Sequence, residues 1–323
     1  MHPGEFDGPV SDERVSVAPG VALHVRRWAA PPGNRHFLLV HGLSSNARLW
    51  DGVAARLVAA GHPATAVDLR SHGESDSPET GYDTATAAGD LAAVAATLGI
   101  DRAVVAGQSW GGNVVVELAA RHPEVVAALA LIDGGWFAPS QQFPSWEACE
   151  AALRPPDIDG SPVERIRGFM RQAHPAWSDS AIEATVANLA VAPDGTVRRR
   201  LSIEHHMRIV RSMWDDPPQP YYPDIHVPVL LMPAIPEDDD RGEAAGSTRR
   251  ARIAAAASAL ADATFSEYLG GDHDLHAQQP ERVADDLLAL VARLDTTDAA
   301  TVPSAAGSSV AGSRATAPPE GRI

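Results

Sequence analysis

The chain contains little cysteine, little positive charge and no long apolar run. Its 323 residues include one cysteine, Cys149, so no internal disulfide can form and no oxidising compartment is required. The net charge of −16 opposes binding to nucleic acid or to an anionic membrane, because both carry negative charge. No stretch reaches the roughly 18 apolar residues of a membrane span. We therefore expect a soluble cytoplasmic protein in which Cys149 is a packing residue.

Sequence signatures of metal and phosphate sites are also missing. His205 and His206 are adjacent and do not form H-E-x-x-H. The acidic run 237–240 lacks the spacing of a calcium loop. The glycines around position 107 do not follow the G-x-G-x-x-G pattern of a phosphate-binding turn. We expect no metal and no cofactor.

Short apolar runs alternate with segments of helical periodicity over most of the chain. The predicted strands are residues 21–28, 36–40, 65–69, 103–106, 127–132, 227–232 and 264–269. The predicted helices are residues 47–60, 84–98, 113–121, 248–260 and 281–294. Such alternation is typical of the α/β class, with a mostly parallel, doubly wound sheet covered by helices on both faces.

The alternation stops between residues 136 and 222, where no buried strand is evident and four of the seven tryptophans lie. An interruption of this length is too long for an ordinary loop. We therefore predict that this segment is a helical cap that covers a functional site. The predicted divisions are a disordered N-terminus (1–10), the first part of the core (11–135), the cap (136–222), the second part of the core (223–296) and a disordered tail (297–323).

The most informative motif runs from Gly107 to Gly112, with the sequence Gly-Gln-Ser-Trp-Gly-Gly. It is a G-x-S-x-G pattern between an apolar strand and an amphipathic helix, which is the context of a nucleophile elbow. The flanking glycines are needed because the serine adopts a strained backbone in a sharp turn. This context predicts Ser109 as a nucleophile, with the Trp110 N–H beside the position where an oxyanion forms.

A serine nucleophile needs a base, which should be a histidine oriented by a carboxylate. His273 follows the last predicted strand in the run Gly270 to His276. This places it at the carboxyl edge of the sheet, where Ser109 also emerges. His273 is therefore the predicted base, and His276 is expected to cap or pack.

Taken together, these motifs resemble the α/β-hydrolase superfamily, in its capped, epoxide-hydrolase-like and esterase-like branch. The resemblance covers about residues 21–294. It rests on His41-Gly42, on the run 68–75, on the serine motif and on Gly271-Asp272-His273. It implies that the strand over residues 127–132 is the sixth of the family's sheet, so that the cap is inserted after the sixth strand. It also implies that the backbone N–H of Leu43 is a second oxyanion donor and that the 70–75 loop is structural.

Two positions remain open for the carboxylate. Most members of the family take the acid after the strand that follows the cap, where Glu237 or Asp238 stands here. Some relatives, lactone hydrolases among them, take it after the strand that follows the serine helix, where Asp133 stands. We prefer Asp133, because a strand end followed by two glycines holds its backbone in place.

Trp136 and Trp214 are the predicted substrate-binding residues of the cap. Their flat faces would suit a small hydrophobic molecule, and an aromatic one in particular.

The resulting prediction is a serine hydrolase that cleaves an ester, lactone or thioester through an acyl-enzyme. Ser109 excludes the aspartate-dependent chemistry of epoxide hydrolases and dehalogenases. Alternatives on the same scaffold are a C–C bond hydrolase, a perhydrolase, and a biosynthetic acyltransferase or cyclase. A non-catalytic ligand-binding module is a further alternative, because a fold does not determine a function.

Overall fold

The computed structural model describes residues 10–235 and 243–301. The strands, in chain order, are β1 (Val10–Ala18), β2 (Val21–Trp28), β3 (Phe37–Val40), β4 (Ala64–Val67), β5 (Ala103–Gln108), β6 (Val126–Ile132), β7 (Leu189–Val191), β8 (Val197–Arg199), β9 (Val229–Met232), β10 (Ala234–Ile235), β11 (Ala263–Phe265) and β12 (Tyr268–Leu269). The α-helices are α1 (Asp51–Ala59), α2 (Thr84–Leu98), α3 (Trp110–Arg121), α4 (Pro139–Gln142), α5 (Trp146–Leu153), α6 (Val163–Ala173), α7 (Asp179–Val186), α8 (Ile203–Asp215), α9 (Glu243–Ala259), α10 (Leu275–Gln278) and α11 (Pro280–Thr301).

Eight strands form one sheet in the order β1-β2-β4-β3-β5-β6-β9-β11. The pairs β1–β2 and β2–β4 are antiparallel, and every other pair of neighbours is parallel. Strands β3 to β6 are buried throughout, as expected for parallel strands with helices on both faces. This confirms the predicted fold class.

The hydrophobic core lies on both faces of the sheet. On one face the apolar sides of α2, α3 and α9 pack against the strands, with residues such as Leu91, Val115 and Ile253. On the other face α1 and α11 do the same through Leu57 and Leu287. The carboxyl ends of the parallel strands are therefore held rigidly, which provides a base for a functional site.

Local sequence determines where the elements begin and end. Helix α2 has the bounds predicted for it. The side chain of Asp83 accepts a hydrogen bond from the Thr86 N–H at its start, and Gly99 takes a left-handed conformation, φ 65°, just after its end. These are the cap residues that helix termini favour.

The chain leaves the sheet between β6 and β9, in the segment predicted as the cap (residues 136–222, here the cap segment). Helices α4 to α8 lie in this segment. It also contains the antiparallel hairpin β7–β8, which the sequence analysis did not predict. The hairpin was missed because its strands are three residues long and only Leu189 and Val197 are buried.

Most of the other predicted bounds differ from the structure by a few residues, and three differences change an element or a division. Strand β1 begins at Val10, within the segment predicted to be disordered, and pairs along β2. The strand predicted over residues 264–269 is divided into β11 and β12. Helix α11 continues to Thr301, so the predicted tail 297–323 begins within a helix. Its Ala- and Thr-rich end gives no sequence signal for the boundary. No helix of the described residues combines the length and apolarity needed to cross a membrane.

Candidate active site

Ser109 occupies the sharp turn between β5 and α3. Its backbone has φ 53° and ψ −122°, a conformation that side-chain-bearing residues rarely adopt. A Cβ at Gly107 would overlap the carbonyl group of Gly111, so only glycine permits this turn. Strain of this kind persists where the surrounding structure enforces it, and it is concentrated at functional sites.

The register of the sheet brings Asp133 beside Ser109. Gln108 on β5 pairs with Ile132 on β6, so the next residues of both strands emerge together at the carboxyl edge. The Ser109 N–H donates a hydrogen bond of 3.0 Å to the Ile132 carbonyl oxygen. A Cβ at Gly134 would overlap the Ser109 backbone, so the chain can approach this closely only with glycine there.

His273 and Asp133 form a hydrogen-bonded pair. The Nδ1 atom of His273 lies 2.7 Å from Oδ2 of Asp133. Because a carboxylate can only accept, Nδ1 carries the proton and Nε2 is left as the unprotonated acceptor of the neutral ring. The Asp133 side chain is 3% exposed and that of His273 is 56% exposed. The ring is therefore anchored on its Nδ1 side and accessible elsewhere.

The loop that carries His273 is held from both sides. The side chain of Gln108, buried beneath the serine turn, donates a hydrogen bond of 3.0 Å to the His273 carbonyl oxygen. Asp272 accepts a hydrogen bond of 2.8 Å from the indole N–H of Trp177 in the cap segment. The position of His273 thus depends on both the sheet and the cap segment.

Arg249 on α9, which the sequence analysis did not identify, also contacts Asp133. The Oδ1 atom of Asp133 accepts a hydrogen bond from the Ala234 N–H at 3.1 Å and another from the Arg249 guanidinium. Arg249 also donates to the Ala234 carbonyl oxygen at 3.1 Å. Three donors, including His273, therefore surround this carboxylate.

Opposing effects set the pKa of His273. Desolvation lowers the pKa, and the hydrogen bond and negative charge of Asp133 raise it. The positive charge of Arg249 lowers it again. The net effect is that the pKa of His273 is raised above its ordinary value, because the contribution of the Asp133 carboxylate outweighs the lowering effects. A neighbouring anion has this effect because it favours the protonated, cationic ring.

Both predicted oxyanion donors, Leu43 and Trp110, line the same cavity as Ser109. Trp110 is the first residue of α3, where a backbone N–H has no partner inside the helix. The Leu43 turn is braced by His72, whose Nε2 accepts from the Ser44 N–H at 3.1 Å while Nδ1 donates to a backbone oxygen. Burial lowers the pKa of His72 to about 3, so the ring stays neutral. These contacts support the structural role expected for the 70–75 loop.

One cavity of about 330 Å³ contains the site. Its walls are formed by Leu43, Ser109, Trp110, Asp133, Trp136, Phe137, Gln142, Leu153, His206, Val210, Met213, Arg249, Arg252 and His273. The volume is at the lower end of the roughly 300–1,000 Å³ found for small-molecule sites. The cap segment supplies much of the wall, mostly as apolar side chains.

The two tryptophans that were predicted to bind substrate have different surroundings in the structure. Trp136 lines the cavity. Trp214 is not among the described lining residues and packs edge-on against Trp146, with 6.0 Å between ring centroids. Helical spacing in the cap segment does not show which tryptophan turns inward, because that depends on how its helices pack.

His206 is a polar wall residue that the sequence analysis left unassigned. Its Nε2 donates to the Leu153 carbonyl oxygen at 3.1 Å, and its Nδ1 lies 3.0 Å from the Ser44 hydroxyl. Burial lowers the pKa of His206 to about 4, so the ring is neutral near pH 7. His205 points elsewhere and stacks on Tyr82.

The alternative acids Glu237 and Asp238 lie outside the described residues. His276, expected to cap or pack, is fully buried against Trp50. Within residues 10–235 and 243–301, no group of three or more His, Cys, Asp or Glu side chains is arranged to hold a metal ion.

Comparisons with known proteins agree with the α/β fold described above. A sequence model of the alpha/beta hydrolase family matches residues 37–286. The chain is 27% identical over 261 residues to the 2-(acetamidomethylene)succinate hydrolase of Mesorhizobium japonicum, with 81% of this chain and 88% of that protein covered. It is also 27% identical over 292 residues to the non-heme chloroperoxidase of Streptomyces lividans, with 86% and 98% covered. A solved structure of E-2-(acetamidomethylene)succinate hydrolase has a TM-score of 0.71 at 24% identity, covering 88% of this chain and 100% of that one.

Proposed function

Since the chain belongs to the alpha/beta hydrolase family, we propose that it is a serine hydrolase that cleaves an ester, lactone or thioester of a small, largely apolar molecule. One observation carries the proposal. Ser109 is held in a strained turn in the same cavity as the hydrogen-bonded His273–Asp133 pair. A nucleophile, a base and an orienting acid are the groups that acyl transfer to serine requires.

Ser109 attacks the carbonyl carbon while His273 Nε2 takes the hydroxyl proton. Asp133 keeps the other ring nitrogen protonated and stabilises the imidazolium that forms. The negative charge that develops on the carbonyl oxygen is accepted by the N–H groups of Leu43 and Trp110. Removing one such donor costs about 2.7–4 kcal/mol in a related mechanism, so the two together would supply a large part of the rate.

Collapse of the intermediate gives an acyl-enzyme, and His273 protonates the departing alcohol or thiol. Water then enters, loses a proton to His273 and attacks the acyl carbon. His273 then gives this proton to the Ser109 oxygen as the acyl bond breaks, which releases the carboxylic acid and restores the Ser109 hydroxyl. This sequence uses only side chains and backbone groups, so we propose no cofactor.

The apolar wall supports a hydrophobic substrate. Trp136, Phe137 and Met213 contribute to it, and a planar or aromatic acyl group would pack on such faces. The cavity volume of about 330 Å³ favours a compact molecule. We assign Trp136 to substrate binding and withdraw Trp214 from that role because of its packing on Trp146.

The proposal is tested by release of p-nitrophenol from acetate, butyrate and octanoate esters, together with labelling by a fluorophosphonate. Ser109→Ala should lower kcat by roughly 10⁴- to 10⁶-fold and abolish labelling, without loss of the fold. Full activity in Ser109→Ala would refute the mechanism. Wild-type protein that is neither active nor labelled would favour the non-catalytic alternative.

A second candidate is a perhydrolase, in which hydrogen peroxide replaces water as acceptor of the acyl group. The relative named as a non-heme chloroperoxidase favours this candidate. Acetate-dependent formation of peracid from hydrogen peroxide, absent in Ser109→Ala, would support it.

A further inference from the structure

Helix α9 directs two arginines into the cavity. Arg249 and Arg252 are three positions apart, a spacing that places side chains on the same face of a helix, and both line the cavity. Arg250 between them lies on another face, with Nη2 3.9 Å from Oε2 of Glu267. The two inward arginines stand in an otherwise Ala-rich helix.

The positive charges of the cavity exceed the negative charges. Asp133 is the one carboxylate among the described lining residues, and it already pairs with Arg249 and His273. His206 is neutral near pH 7, because burial lowers its pKa to about 4. Arg252 is half-buried and has no ion-pair partner among the residues that the structure describes. Within the described part of the chain, one guanidinium charge of the cavity is therefore uncompensated.

An uncompensated positive charge is unexpected in this chain, whose net charge is −16. Partial burial of a charge is unfavourable unless a partner replaces its lost hydration. A guanidinium in a mostly apolar pocket also attracts anions into it. An anionic group on the substrate would provide the missing ion-pair partner and would explain why Arg252 lines the cavity.

We propose that the substrate carries a carboxylate, bound by Arg252, in addition to the acyl bond that Ser109 attacks. The planar guanidinium matches a carboxylate through two parallel N–H···O bonds. One free guanidinium balances one negative charge, which a carboxylate supplies. A phosphate monoester carries about −1.5 to −2 near pH 7 and would remain partly uncompensated.

This inference rests on the proposed function and narrows its substrate class. The molecule would have an apolar body against Trp136 and Met213 and an anionic end at α9. Half-esters of dicarboxylic acids have this form. Arg252 acts here as a binding residue, and nothing in the acyl-transfer steps passes through it.

The test compares p-nitrophenyl half-esters of adipate and suberate with the neutral hexanoate and octanoate esters of the same chain lengths. Wild type should prefer the half-esters in kcat/KM. Arg252→Gln should lower kcat/KM for them about tenfold to 100-fold, the range of a charge-assisted hydrogen-bonded pair, and should change kcat/KM for the neutral esters much less. Arg252→Lys should recover part of the loss. Arg250→Gln is the matched control and should leave both substrate classes unaffected.

The outcomes separate this inference from the proposed function. Neutral esters cleaved by Ser109 without a preference for half-esters, or a preference that survives Arg252→Gln, would overturn the inference alone. Loss of all turnover and of fluorophosphonate labelling would overturn the proposed function.

Calorimetric titration of the Ser109→Ala variant with the adipate half-ester measures binding without turnover. Binding that is abolished by a second change, Arg252→Gln, supports the inference. No binding to Ser109→Ala contradicts it.

Discussion

Replacement of Asp133 by asparagine tests the centre of the proposed site. Oδ1 of Asp133 accepts from Ala234 N–H and from Arg249, whereas Oδ2 accepts from His273 Nδ1. Asparagine has one oxygen and one NH₂ group. Two fixed donors face the Oδ1 position, so the amide oxygen will take that side and the NH₂ group will face His273.

This orientation reverses the hydrogen bond to the base. An NH₂ group can only donate, so His273 Nδ1 must accept and the ring proton moves to Nε2. Nε2 then cannot take the proton of Ser109. In serine proteases the same change produces the wrong tautomer and lowers kcat about 10⁴-fold, or about 5.5 kcal/mol at 1.36 kcal/mol per decade. We expect a loss of this size in Asp133→Asn.

The assay is kcat for p-nitrophenyl butyrate from pH 5 to 9, for wild type, Asp133→Asn and Asp274→Asn. Asp274 is the matched control, because it is next to His273 in the chain and its charge also raises the pKa of that ring. In the part of the chain that the structure describes, Asp133 and not Asp274 is the carboxylate that is hydrogen-bonded to the His273 ring. Asp274→Asn should stay within about tenfold of wild type.

The pH dependence has a defined sign. His273 acts as a base only when it is neutral, so activity falls as pH drops through its pKa. Asp133 raises that pKa, so the acidic limb of the residual activity should move to lower pH in Asp133→Asn. If kcat of Asp133→Asn stays within tenfold of wild type, the reasoning is refuted. The alternative acids Glu237 and Asp238 would then be tested with Glu237→Gln and Asp238→Asn.

Four other variants have expected outcomes. Arg249→Gln removes a positive charge that lowers the pKa of His273, so the acidic limb of kcat/KM should move to higher pH; a shift to lower pH would contradict this. Gly134→Ala places a Cβ against the backbone of the serine turn and should lower the free energy of unfolding in urea by about 3 kcal/mol, the upper range of overpacking. Trp136→Phe should raise KM for the octanoate ester about fivefold, whereas Trp214→Phe should change thermal stability and leave KM unchanged; equal effects on KM would argue against the assignment.

The predictable parts of this protein were those that depend on neighbours in the chain. Helix α2 and strand β2 have the predicted bounds, because cap residues and apolar periodicity are local signals. The strained turn at Ser109 was recognisable for the same reason, since glycines on both sides are a local requirement. The short hairpin β7–β8 was missed because it buries too little of its sequence to produce a pattern.

The sequence by itself determined the fold class, the position of the serine turn and the presence of a histidine after the last strand, because each depends on a contiguous stretch of residues. Only the tertiary structure decided that Asp133 lies beside His273, that Trp136 faces the cavity while Trp214 does not, and that Arg249 and Arg252 enter it. Those relations depend on the register between strands and on the rotation of helices packed against them. Register and helix rotation are set by contacts between residues far apart in the chain, which no local pattern records.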